Sequence, residues 1–293
     1  GKDRKDFNLV DIDIFVDHAV KLIKDNKMTS KNAFLATYGA FALARGENLF
    51  EKKIIAHQVH FPEHAVEVRR DFPKLKIIAC VRDPRIVATT ILKWNKEIGL
   101  SKISILSANS FFSRVVNGFD LLNSMKSQNI KVNVLEKLHN NPKSIMKNVC
   151  DWLSIDFNDS LLESTWNKKL WYGDSLSSGI DKFFDSSRYE MSQKKWDKDL
   201  SVIDKIVIES LMRKEIQLNN HVKEYSSFFW ILFTPLLILF PTRYEVKIFI
   251  SIFNNQRYLL FITFLKVVLA RYYYSYRKLY KNIFNTNNKI SRF

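Results

Sequence analysis

The segment Arg82-Asp83-Pro84-Arg85 follows an apolar run, Lys76-Ile77-Ile78-Ala79-Cys80-Val81, and precedes a helical pattern from about Ile86 to Lys96. A strand that is apolar on both faces belongs in a parallel sheet. Open parallel sheets bind ligands at the carboxyl ends of their strands. Arg82 therefore stands where an anion binds, and a guanidinium can grip a phosphate through two parallel hydrogen bonds. Thr90 lies eight residues on, near the second turn of the following helix, and its hydroxyl can return toward the same anion. Pro84 presets the first helical turn and Asp83 can cap it. The same residues also read as an ordinary strand–turn–helix with a solvated arginine.

A second constellation is Ala56-His57-Gln58-Val59-His60-Phe61. Imidazole titrates near neutrality, so His57 or His60 can act as a general base if it borders a pocket. The alternative is a histidine that bonds backbone near a turn. Their i,i+3 spacing would suit a metal only on a helix, they fall at an expected strand end, and no third ligand stands nearby. No metal is expected. Cys80 and Cys150, the two cysteines, are too few for a disulfide framework or a structural zinc site. Both sit among apolar residues and are expected to be small buried hydrophobes.

Elements that position these residues follow from periodicity. Apolar residues at Ile12, Val16, Val20 and Ile23 predict a helix, and Thr29 or Ser30 can cap a second one over Asn32–Leu43 that ends near Arg45-Gly46. Lys53–His57 reads as a short strand. Pro62 opens a helix that closes before Phe72-Pro73. A long helix fits 107–127, Val132–Leu135 reads as a strand, and 143–153 as a helix with Ile145, Val149, Trp152 and Leu153 on one face. Residues 166–195 read as a long loop, and Asp199 or Ser201 caps a last helix to about Ile216. Alternation of strand and helix predicts an α/β fold, a parallel sheet flanked by helices.

The net charge of +16, from 46 Lys and Arg against 30 Asp and Glu, calls for anionic partners: nucleic acid, a lipid surface, or a phosphorylated or sulfated small molecule. Its location discriminates among them. Residues 242–293 hold ten cations against Glu245 alone. Just before them, Phe228–Phe240 is apolar throughout except for Thr234-Pro235. It is too short for a spanning helix, which needs about 20 residues, and suits an interfacial segment. The expected division is an α/β domain over 1–224 and a hydrophobic, basic, membrane-associating region over 225–293, peripheral or monotopic on an anionic surface. A helical appendage packed on the core is the competing reading. RNA binding by the tail is disfavoured, since no recognised module accompanies its aromatics and cations. No apolar leader opens the chain, so the compartment is not legible.

Arg82-Asp83-Pro84-Arg85 with Thr90 resembles the 3′-phosphate-binding segment of the sulfotransferases that use 3′-phosphoadenylyl sulfate (PAPS), where an Arg is followed eight residues later by a Ser. In order along the chain, Val134-Leu135-Glu136-Lys137-Leu138 with Asn141-Pro142 is similar to that family's strand, acidic-Leu turn and Pro-started helix. Cys150–Ile155 resembles its helix end, with Ser154 where Gly is usual. Lys195-Trp196-Asp197-Lys198-Asp199-Leu200-Ser201 resembles the segment before its last helix. The resemblance covers roughly 9–217. It implies a P-loop-like sulfotransferase core, with PAPS as co-substrate, no metal, and a hydroxyl of a carbohydrate, lipid or similar acceptor as the site of transfer. Arg82, Thr90 and Lys195 would hold the nucleotide, with Lys194 and Arg188 in the loop expected to close over it. The base would be His60, whose spacing before Arg82 matches the family's catalytic histidine, or His57. Glu47 and Glu51 are the carboxylate alternatives. The family's first strand and its phosphosulfate-binding loop have no counterpart here. The expectation is therefore a piece of a longer enzyme or a degenerate relative, in which these residues alone lack half of the cofactor site. The alternative function is a non-catalytic nucleotide- or lipid-binding scaffold at a membrane.

Overall fold

The structure, a computed structural model, describes residues 10–97, 111–125, 129–163, 165–166, 169–170, 196–218, 228–240, 245–246, 249–250, 252 and 258–284. Contacts divide the chain into two compact units. One comprises 1–76 and 146–184, the other 77–145 and 185–293.

In the first unit, Asp11 accepts hydrogen bonds from the amides of Asp13 and Ile14 and starts α1, Ile12–Lys24. Thr29 caps α2, Ser30–Ala44, through the amide of Asn32. The two helices pack on each other. Gly39 permits that approach, because a Cβ there would lie 3.1 Å from a methyl of Leu22. Gly46, at φ +71°, closes α2. Its amide reaches Leu43 O and that of Glu47 reaches Ala42 O, the paired bonds of a Schellman motif. Pro62 opens α3, Pro62–Asp71.

The expected strand Lys53–His57 does not form. That stretch joins no sheet among the described residues, and Ile54 and Ile55 remain exposed. A β-branched run fits a pleated, half-buried surface and gains little without a neighbouring strand to supply one. The later α7, Pro142–Leu153, ends on Ser154 at φ +61°. There the amides of Ser154 and Ile155 reach Asp151 O and Cys150 O, the same Schellman pairing built without glycine. Thr165–Trp166 (β3) and Lys169–Leu170 (β4) make a minimal antiparallel pair.

The second unit holds β1, Ile77–Val81, and β2, Ile130–Val134, paired in parallel with Val81 opposite Val134. Val81, Val132 and Val134 are buried. The other face of β1 is open, with Ile78 and Cys80 exposed. This corrects the expectation of a strand covered on both sides, and of Cys80 as a buried hydrophobe; Cys150 is buried, and both thiols are free. The described fold is thus mostly helical around a two-stranded parallel sheet, an α/β arrangement. Between the strands run α4, Pro84–Glu97, a π-helical turn over Phe111–Val116, and α5, Asn117–Ser124. After β2 comes α6, Leu135–Asn140. Then follow α8, Val202–Leu211, capped by Ser201; α9, Arg213–Leu218; α10, Phe228–Leu239; and α11, Tyr258–Phe284.

One core joins most of these helices. Ile86 and Ala88 of α4, Phe111 and Phe112 of the π turn, Val207, Ile208 and Leu211 of α8, Ile238 of α10 and Leu279 of α11 are all buried in it. The expected boundary at 224–225 falls outside the described residues. The helices beyond it are held by buried ion pairs. Lys278 lies 3.0 Å from Asp120 and 2.6 Å from Glu215, and Arg271 lies 2.6 Å from Glu245. Arg277 and Lys281 share Asp120 at 3.3 and 3.0 Å. Four of the tail's ten cations are therefore engaged with internal carboxylates rather than aimed outward, which narrows the charge available to any anionic surface.

Candidate anion site at the carboxyl end of the parallel pair

Parallel pairing puts the carboxyl ends of β1 and β2 side by side, so Arg82 and Glu136 leave the sheet at the same end. The turn after β1 is held from three directions. Asp83 caps α4 by accepting from the amide of Arg85 at 2.9 Å. The amide of Asp83 donates to Glu136 Oε1 at 2.8 Å, tying the two strand ends together. Arg85 turns inward, wholly buried, and forks between Asp83 Oδ2 and Glu209 Oε1 of α8, each at 2.8 Å. The indole ring of Trp196 covers its guanidinium at 4.2 Å, within the range of a cation–π contact.

Desolvation works against the Arg85 charge, but its bonds and proximity to Asp83 and Glu209 outweigh it and hold the guanidinium protonated. Arg85 is therefore an internal strut. Arg82, half-buried, directly follows the strand at the sheet end. The other Glu136 oxygen, Oε2, and Asn133 Oδ1 on β2 are buried and have no hydrogen-bond partner among the described residues.

The predicted residues fare unequally. Thr90 sits on α4, is exposed, and donates its hydroxyl to Ile86 O at 3.0 Å. In that rotamer it offers lone pairs rather than a proton, so gripping an anion requires the hydroxyl to turn away from the helix carbonyl. Lys195, with Lys194 and Arg188, lies outside the described residues. His57 and His60 belong to the first unit and both are exposed. Nδ1 of His57 is 2.6 Å from the hydroxyl of Tyr38, and its ring packs edge-on to Phe34 at 5.1 Å. His60 stands in the turn before α3. Glu47 is paired with Arg45 at 2.8 Å and with Lys52 at 2.6 Å. Its carboxyl is lowered by hydrogen bonds from Lys52 and Arg45, which makes it a poor proton acceptor. Among the described residues no group of His, Cys, Asp and Glu could hold a metal.

Sequence reasoning missed the Asp83–Arg85–Glu209–Trp196 clamp, although one signal was present. Glu209 is a lone acid inside Ile206-Val207-Ile208-Glu209-Ser210-Leu211. An acid placed in so apolar a run is buried and needs an internal cation.

No family model and no curated protein matches the chain. Among solved structures, the "Sulfotransferase Domain from the Curacin Biosynthetic Pathway" is similar over 75% of this chain and 84% of that one, at 12% identity and a TM-score of 0.41. At that TM-score the two chains are not shown to share a fold.

Proposed function

We propose that this end of the sheet binds the 3′-phosphate of an adenine nucleotide, and that the protein is a sulfotransferase-like transferase with PAPS as donor. The supporting observation is the preorganised turn. Pairing of β1 with β2 fixes the backbone before Arg82, and Asp83, Glu136 and the Arg85 clamp fix it after, so Arg82 stands on an ordered backbone at the carboxyl end of a parallel strand. The residues fit the nucleotide in part. Arg82 supplies a cation, and Thr90 can donate once its hydroxyl leaves Ile86 O. The ordered likeness of the strand, the acidic-Leu turn and the Trp196–Ser201 segment to that family motivates the donor.

In sulfuryl transfer an acceptor hydroxyl gives its proton to a base and its oxygen attacks sulfur. The bond from sulfur to the donor's phosphate oxygen breaks, and a sulfate ester and adenosine 3′,5′-bisphosphate result. By the resemblance the base is His60 or His57. A carbohydrate or lipid hydroxyl is the acceptor class.

Calorimetry with adenosine 3′,5′-bisphosphate tests the reading, with adenosine 5′-monophosphate as the comparison. Loss of a charge-assisted phosphate contact of about 1.5–3 kcal/mol predicts that Arg82→Ala weakens bisphosphate binding by roughly 10- to 150-fold. Affinity for the monophosphate should not change. Equal affinity of wild type and Arg82→Ala for the bisphosphate would sink the assignment.

A further inference from the structure

Helix α10 has two different apolar faces. Thr234 and Ile238 are buried, and Leu237 packs on the core. On the opposite side Phe229, Leu232, Phe233, Leu236 and Phe240 follow one another at helical spacing, and every one is exposed, Leu232 at 57% and Phe240 at 69%. A helix apolar on all sides belongs in a core or in lipid, and only half of this one is in the core.

Helix α11 runs antiparallel beside it, since Tyr272 donates to Leu239 O and Tyr276 to Pro235 O, both at 3.1 Å. Its outer side is apolar and aromatic. Ile262, Leu265, Leu269 and Phe284 are exposed, as are Tyr273, Tyr276 and Tyr280, with Lys266 exposed among them and Arg277 and Lys281, paired with Asp120, half-buried. Neither helix contains an Asp or Glu.

We infer that the outer faces of α10 and α11 form a monotopic membrane-docking surface, with the Phe and Leu stripe of α10 immersed at the acyl boundary, the α11 tyrosines at headgroup depth and Lys266 against anionic lipid. An outer side of apolar residues and tyrosines with an exposed lysine and no acid is the composition of a helix lying in the membrane interface. No helix among the described residues is long and apolar enough to cross a membrane, so the contact lies in the plane. Charge decides between lipid and a second copy. A two-fold dimer sets a patch against itself, and here that would bring together two segments that each remain cationic, with ten Lys and Arg against Glu245 alone in 242–293, even with four of the ten held on internal carboxylates. An anionic leaflet complements the same charge. The inference is independent of the sulfuryl-transfer reading.

The test is flotation of the full chain with phosphatidylcholine vesicles, with and without phosphatidylserine, alongside the double variant Leu232→Asp/Leu236→Asp. Both positions are exposed, so the variant keeps its fold, which an unchanged melting temperature verifies. Phe50→Asp, at a fully exposed site in the other unit, is the control. Wild type and Phe50→Asp should float with the vesicles, more completely with phosphatidylserine. The double variant should lose at least about tenfold in partitioning, because two leucines no longer leave water. Equal flotation of the double variant overturns the inference. So does a lipid-free dimer of the wild type that the double variant converts to monomer, which would assign the face to a second copy.

Discussion

Replacing Arg85 by Met removes the guanidinium between two buried carboxylates, Asp83 and Glu209, and uncovers the Trp196 ring. Breaking a buried pair from one side costs about 3–5 kcal/mol. Glu209→Gln keeps the shape and leaves Arg85 on Asp83, so its cost falls to about 1–2 kcal/mol. Urea unfolding should rank the two in that order, and equal midpoints would mean that the clamp does not hold the turn. Both variants should also weaken bisphosphate binding less than Arg82→Ala does, because they act through the backbone rather than on the ligand. The two arginines are three residues apart, and the sequence distinguished their roles poorly. Arg82 was legible as a strand-end cation. Arg85 was not, because its partner Glu209 comes from a helix 124 residues later. The histidines show the converse. Their type suggested chemistry, but His57 rests in an aromatic cluster with Phe34 and Tyr38. With His60 as the base, His60→Ala leaves bisphosphate affinity unchanged and lowers sulfuryl transfer by roughly 10²–10⁴-fold. A comparable loss in His57→Ala with none in His60→Ala would exchange their roles.

Elements bounded by local signals were legible, because caps and breakers act within a few residues. Thr29, Gly46, Pro62, Asp83 and Ser201 sit at helix ends as their types predict. The strand over Lys53–His57 failed because its fate depends on a neighbour that sequence does not reveal. In the span expected as one helix over 107–127, the described part is a π-helical turn running into α5. That turn buries Phe111, Phe112, Val115 and Val116 together, a demand of packing that a 3.6-residue period does not encode. Ser154 offers the clearest test at this scale. It closes α7 at φ +61°, where a side chain costs about 1–2 kcal/mol that glycine avoids. The extra freedom of glycine in the unfolded chain returns about 0.5–1 kcal/mol of that. Ser154→Gly should therefore raise stability by up to about 1 kcal/mol, read as a higher melting temperature. A lower one would show that the Ser154 side chain contributes more than its backbone strain costs.

At the scale of the molecule, the two units are each assembled from two separate stretches of chain. The excess positive charge was legible, but its use was not. Asp120, Glu215 and Glu245 look like ordinary surface acids in sequence, and each is buried against a cation of α11. The consequence is a specific pH dependence. Burial alone would raise the Asp120 carboxyl, but the charge of Lys278 and the bonds from Lys281 and Lys278 bring it below the ordinary aspartate value. A depressed folded value means that the stabilisation is complete above the unfolded value, about 3.9, and is lost as pH falls through the lower folded one. Lys278, raised by Glu215 and Asp120 against the desolvation that opposes it, has the mirror behaviour. Its contribution is complete below about 10.4 and is lost only as pH rises through the higher folded value. Asp120→Asn should therefore cost about 3–5 kcal/mol at neutral pH, where Lys278, Lys281 and Arg277 lose their shared carboxylate. The gap between wild type and variant should close as pH falls below about 3.9, because the wild-type carboxyl is then neutralised as well. Melting temperatures of the two proteins across that range decide the matter. A gap that stays constant down to the acid limit would mean that Asp120 is held by geometry alone and that charge does not anchor α11.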